Sequence, residues 1–198
     1  MEFKKIQLNG FKSFAEKTNF LIEDGLTGIV GPNGCGKSNI VESLRWVMGE
    51  TSAKSMRGSG MEDVIFSGTS NKTSKNIAEV SVTVANENNE GPVQFRNLDE
   101  ISVRRKIEKD KGSKFYINDK EVRSRDAQMF FADLSTGAHS PSMISQGRIG
   151  ALVTAKPTDR RAILEEAAGI SGLHVRRHEA ELRLSAAENN LKRADELR

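Results

Sequence analysis

GPNGCGKSN, residues 31–39, lies between an apolar run, Leu26 to Val30, and an amphipathic one, Ile40 to Met48. The first run has the look of a short, buried-type strand. The second puts Ile40, Val41, Leu44, Val47 and Met48 on one helical face, and Gly49 supplies the stop. Strand, glycine loop and helix follow one another in the order that presents backbone N–H groups to an anion. Residues 31–38 also satisfy G-x-x-x-x-G-K-[ST] at every fixed position. Glycine removes Cβ atoms that would crowd phosphate oxygens, so the N–H groups of Asn33 to Lys37 can turn inward. The positive end of the following helix points at the same place. Lys37 is positioned for β- and γ-phosphates, and Ser38 for Mg²⁺. The sequence therefore predicts an ATP-type phosphate site built from Gly31, Pro32, Asn33, Gly34, Cys35, Gly36, Lys37, Ser38 and Asn39.

The rest of the chain sets the frame for that site. Its 198 residues are 36% hydrophobic and 29% charged, with a net charge of +3. Such a chain can hold one domain with a lean core, or a small domain with an extension. No stretch approaches the length of uncharged apolar sequence that a membrane helix needs, and MEFKKIQLNG lacks the apolar core of a signal peptide. The single cysteine allows no intramolecular disulfide, which fits a reducing cytosol. A cytoplasmic protein without a membrane partner is expected.

Residues 3–8 and 18–22 are expected as strands joined by GFKSFAEKT. Further strands are expected at 77–85, 101–107 and 114–117, with Asn118-Asp119 turning a hairpin. Ser124 is expected to cap a helix over RDAQMFFADL. Beyond Pro157 the composition changes to alanine, leucine, glutamate and arginine. A 3,4 spacing joins Leu173, Arg177, Ala180, Leu184, Ala187, Leu191, Ala194 and Arg198, an a/d seam of more than three heptads. The predicted division is therefore 1–156 as a globular lobe and 157–198 as the start of a coiled-coil arm.

FKSF at 11–14, GLTGIVGPNGCGKSNIVESLRWVMGE at 25–50 and SAKSMRGSGMEDVIFSG at 52–68 resemble the amino-terminal head segment of bacterial structural maintenance of chromosomes (SMC) proteins. SQGRI at 145–149 and AKPTDRRAILEEAAGI at 155–170 extend the resemblance over essentially the whole chain. It implies an α/β fold: one lobe of an ABC-type P-loop ATPase head, with a β-rich sub-region and an emerging coiled-coil helix. It also implies a carboxy-terminal head lobe, a homodimer formed through heads and hinge, non-specific DNA binding, and kleisin and accessory subunits. The expected work is chromosome condensation and segregation at the nucleoid by ATP-dependent head engagement.

The same resemblance assigns roles to single residues. Gln146 takes the Q-loop position, as a second Mg²⁺ ligand and a sensor of the γ-phosphate. Arg57 takes the place of an arginine that approaches nucleotide when heads engage, a task that suits a permanently charged, forked side chain. Lys12 and Ser13 are weaker nucleotide contacts. The Walker B aspartate, its glutamate and the signature are expected outside these residues, so the chain is predicted to bind ATP without turning it over. Leu134–Gly137 precedes Gln146 and is not a signature. MFFAD at 129–133 is assigned to a helix face, and Glu165-Glu166 to a solvated one. His174 and His178 lack a third ligand for zinc. Cys35 stands at a helix start, a place where a thiol can be reactive, though a small residue is all the loop needs.

Between Arg96 and Arg125 ten Lys or Arg face six Asp or Glu. Arg104 and Lys106 fall on one face of a strand, as a DNA-phosphate surface or as the lysine-bearing edge of a sheet. An alternative assignment is the head of another ABC-type repair ATPase of the RecF, RecN or zinc-hook kind. A third is a non-catalytic coiled-coil protein with a merely structural glycine loop.

Overall fold

Alternation decides the sheet. In the computed structural model, which describes residues 2–86, 92–134, 143, 150, 153–167 and 171–196, β3 (Ile77–Ala85) and β4 (Glu100–Glu108) bury every second side chain. Ala78, Val80, Val82 and Val84 point the same way as Ile101, Val103, Arg105 and Ile107, and all eight are buried. β1 (Glu2–Asn9) adds Ile6 and Leu8, and β5 (Gly112–Ile117) adds Phe115 and Ile117. With β2 (Thr18–Leu21) and β6 (Lys120–Val122) these strands form a six-stranded sheet in the order β2-β1-β3-β4-β5-β6. Every neighbouring pair is antiparallel.

The Asn118-Asp119 turn forms as expected, with both residues at positive φ, 47° and 63°. That conformation matches the twist of a two-residue hairpin. The strand β4 is interior, between β3 and β5, so it is not the sheet edge that its basic residues suggested. Its outward side chains lie on the open face of the sheet. There Arg104 meets Glu79 at 3.4 Å and Asp119 at 2.9 Å and stacks 4.5 Å from the Tyr116 ring.

Helix α1 (Lys37–Val47) packs on β3 and β4, and α2 (Ser124–Asp133) packs on β5. The buried side of α1 is Ile40, Glu42, Ser43, Trp46 and Val47, rotated from the expected stripe that included Val41 and Leu44. Trp46 draws it round: it is fully buried, 5.4 Å from the Phe11 ring. Gly49 at φ 105° ends the helix, and a Cβ there would lie 2.3 Å from Gln128 Cγ. The expected Ser124 cap is instead the first residue of α2. Arg123 precedes it, and the Arg123 N–H donates to Asp126 at 3.3 Å.

Arg105 is the polar keystone of the core. Its Nη1 donates to the carbonyls of Trp46 and Glu50, both at 2.7 Å, and its Nε to Ser113 Oγ at 2.7 Å. The guanidinium lies between the Trp46 and Phe115 rings, 4.6 and 4.7 Å from their centres. Carbonyls at a helix end have no partner within the helix, and here a sheet residue supplies one. Desolvation brings the Arg105 pKa down to about 10, against the opposing charge of Glu50, so the side chain stays cationic at neutral pH.

The segment 26–30 departs most from expectation. It pairs with no strand among the described residues, and Leu26 and Val30 are fully or almost fully exposed. A strand is held by its neighbours, and an extended apolar segment without one is only a loop.

The chain divides into two compact units, Met1–His139 and Ser140–Arg198. The second holds α3 (Pro157–Ala167) and the 26-residue α4 (Ser171–Glu196). Arg161–Glu165 and Arg177–Glu181 are i,i+4 ion pairs along these helices. Ala180, Leu184, Ala187 and Leu191 of the expected seam are all exposed.

Candidate nucleotide site

Two aromatic anchors present the first side chains of the site. Phe11 and Phe14 exchange backbone hydrogen bonds at 3.0 and 2.8 Å, closing a tight turn. Phe11 is buried against Trp46, and Phe14 sits edge-on to Phe20. Between them Lys12 takes φ 45°, a left-handed conformation uncommon for a residue with a side chain. Lys12 and Ser13 are thereby held beside α1.

The glycine loop reaches α1 through Gly36, which stands at φ 96° immediately before the helix. A Cβ at Gly36 would lie 2.4 Å from Ser13 Oγ, so the loop can approach the 11–14 turn only as glycine. At the other end of the loop a Cβ on Gly31 would meet Cys35 Sγ at 2.9 Å. Lys37 curls back over the loop, where its ammonium donates to the carbonyls of Gly31 and Pro32, both at 2.6 Å. Cys35 Sγ is 3.8 Å from the same nitrogen. Ser38, Pro32, Asn33 and Gly34 are exposed beside it. The arrangement fits a phosphate group: a glycine-permitted bend, a cation inside it, and the unpaired N–H groups of a helix start. Ser38 offers the hydroxyl for a divalent cation.

Side chains from three segments then join. Asn39 Nδ2 donates to Ser13 Oγ at 2.8 Å, and Arg57 Nη2 donates to Asn39 Oδ1 at 3.0 Å. The Glu42 carboxylate receives Lys12 on one oxygen and Arg57 on the other. Lys12 also donates to the carbonyl of Met56, the residue before Arg57. Arg57 itself sits at φ 55°, closing the 54–56 turn. The structure thus gathers Lys12, Ser13, Lys37, Asn39 and Arg57 around the first turns of α1. Gln146 lies outside the described residues.

Glu42 was not singled out in the sequence. The signal was present: it stands three residues after Asn39 and four before Trp46, on the face that Trp46 buries. A carboxylate there needs cations. Asp63, nearby in the chain, accepts from the N–H of Gly60 at 3.0 Å and from the hydroxyl and N–H of Ser59 at 2.8 and 2.6 Å. Those bonds, Gly60 first, hold its carboxyl below the usual value. Among the described residues no group of three or more His, Cys, Asp or Glu is placed to hold a metal, and no helix is long and apolar enough to cross a membrane.

Residues 2–149 match the RecF/RecN/SMC N terminal domain family, and the chain belongs to that family. The whole chain is 56% identical to the chromosome partition protein Smc of Cereibacter sphaeroides and 53% identical to that of Rhodopseudomonas palustris. It spans 17% of the length of each of these relatives. Among solved structures, it is similar to an SMC head bound to the C-winged helix domain of ScpA, with a TM-score of 0.79 and 31% identity over 86% of this chain and 52% of that one. An Smc head with an extended coiled coil, bound to the C-terminal domain of ScpA and derived from Pyrococcus furiosus, matches 99% of this chain and 49% of its own at TM-score 0.79 and 31% identity. The fold is that of an ABC-type ATPase head lobe, and the protein is of the bacterial SMC kind rather than another repair ATPase.

Proposed function

We propose that this chain is the ATP-binding half of a chromosome-partition ATPase head. The observation that carries the reading is the 31–38 loop, bent around the Lys37 ammonium and opening on the start of α1. Lys37 exchanges two carbonyl partners for β- and γ-phosphate oxygens. Ser38, with Gln146, holds Mg²⁺. Bound nucleotide supplies the γ-phosphate charge through which two heads engage. Arg57 and Asn39 border the phosphates, and Lys12 and Ser13 stand behind them on the 11–14 turn, Lys12 on Glu42 and Ser13 on Asn39. A carboxy-terminal head lobe provides the Walker B carboxylates and signature, and the arm that starts at 157 leads to a hinge and a second copy. A kleisin of the ScpA type and DNA are the macromolecular partners, and the nucleoid is the place of action.

Titration with a fluorescent ATP analogue tests the site. Lys37→Ala, in a folded protein, weakens binding at least tenfold, about 1.4 kcal/mol, and omission of Mg²⁺ weakens it as well. Unchanged affinity removes the assignment. Residues 1–198 alone are expected to show negligible ATP hydrolysis, with turnover appearing on addition of the carboxy-terminal lobe. Steady turnover by the chain alone, abolished by Lys37→Ala, would instead make a carboxylate such as Asp133 or Glu165 catalytic.

A further inference from the structure

Glu42 is a buried carboxylate, 8% exposed, in the second turn of the helix that begins at Lys37. It has two cations, one per oxygen: Lys12, whose side chain is 13% exposed, and Arg57, whose side chain is 59% exposed. The two are not held alike. Lys12 is enclosed, with a further bond to the Met56 carbonyl. Arg57 reaches in from solvent, from a backbone held at φ 55°. Its guanidinium is shared between Glu42 and Asn39, and Asn39 directly follows Ser38 of the phosphate loop. Arg57 can therefore leave without orphaning the carboxylate, because Lys12 stays on the other oxygen. Lys12 could not leave so readily.

We propose that Glu42 is a positioning residue that parks Arg57 beside the phosphate loop and competes with nucleotide for it. The inference rests on the ATP reading above and concerns regulation of the same site. With the phosphates absent, Arg57 serves Glu42 and Asn39. With them present, the guanidinium exchanges a single carboxylate oxygen for phosphate oxygens, a group it matches in charge and fork geometry. Lys12 sets the strength of the latch, since it neutralises Glu42 and so weakens the hold on Arg57. Opposite effects follow from the two sides. Removing the Glu42 charge frees Arg57, and removing the Lys12 charge ties it down.

The test is a set of affinities for a fluorescent ATP analogue with Mg²⁺, measured on the full-length protein. Glu42→Gln tightens binding by about threefold or more, and Lys12→Met weakens it by a similar factor, a coupling within the range for residues sharing one network. Both effects vanish when Arg57→Ala is combined with them. A gain from Glu42→Gln that persists in the Arg57→Ala background is general electrostatics and overturns the latch. A loss from Lys12→Met that persists there makes Lys12 a direct nucleotide contact and also overturns it, as does the absence of any effect in either variant. Should Glu42→Gln fail to fold, the Lys12→Met and Arg57→Ala pair decides alone. Lys37→Ala separates the layers. If the wild type binds no nucleotide, or binds it without need of Lys37, the ATP reading has failed; if Lys37 is required and the cycle shows no coupling, only the latch has failed.

Discussion

Residues 77–85 and 26–30 are both short, apolar and rich in β-branched side chains, yet only the first is a strand. IAEVSVTVA lies between β1 and β4, with a register running from Ile77 opposite Glu108 to Ala85 opposite Glu100. LTGIV has the composition of a buried strand but pairs with none among the described residues, and its Leu26 and Val30 stand in solvent. A strand is thus a property of a pairing rather than of a segment. Among the described residues β3 is paired on both sides, whereas the segment feeding the glycine loop pairs with no strand.

The sharpest way to break that contrast is to attack the paired region. Arg105→Ala removes the guanidinium's hydrogen bonds to the Trp46 and Glu50 carbonyls and to Ser113, and empties the space between two rings. Unfolding in urea should show a loss of roughly 4 kcal/mol, from the cavity left by a large buried side chain and the hydrogen bonds lost with it. Ile101→Ala, in the fully buried row of β4, should cost roughly 3 kcal/mol. Val30→Ser in the same chain should stay within about 0.5 kcal/mol, as a surface change does. With the carboxy-terminal lobe bound, Val30→Ser should become costly. If it remains neutral there, residues 26–30 do not become a paired strand against that lobe.

The smallest effect concerns the 59–63 turn. The Asp63 carboxyl is held below its ordinary value of 3.8 in the folded state by N–H and O–H donors. Its contribution to stability is therefore complete above pH 3.8 and is lost as the pH falls through the lower, folded value. An NMR titration should find Asp63 ionising below the ordinary aspartates, and Asp63→Asn should remove the dependence.

Much of this was legible because local rules were enough. The alternation of β3 and β4, the Asn118-Asp119 hairpin, the helix after Lys37 and the change of composition at Pro157 all rest on periodicity or on turn chemistry. The bend of the 31–38 loop into α1 was legible as well, since glycines at that spacing permit the conformation that Gly36 takes at φ 96°. Arg105 was not. In the sequence it sits between Arg104 and Lys106 as one of three consecutive bases, and only strand parity sends it inward while its neighbours face solvent. Nor was the position of β4, because sheet order depends on which distant strands meet.

What the sequence determined by itself was most of the elements and the glycine-permitted bend before α1, since both depend on residues close together in the chain. The tertiary structure alone decided which apolar run became a strand, which arginine became a core residue, and that Lys12, Glu42 and Arg57 share one carboxylate. Those outcomes depend on partners 30 residues away for Lys12 and Glu42, and 59 for Arg105 and Trp46. Burial makes such partners obligatory, because a buried charge or an unpaired backbone group is too costly to leave alone. No local pattern names them.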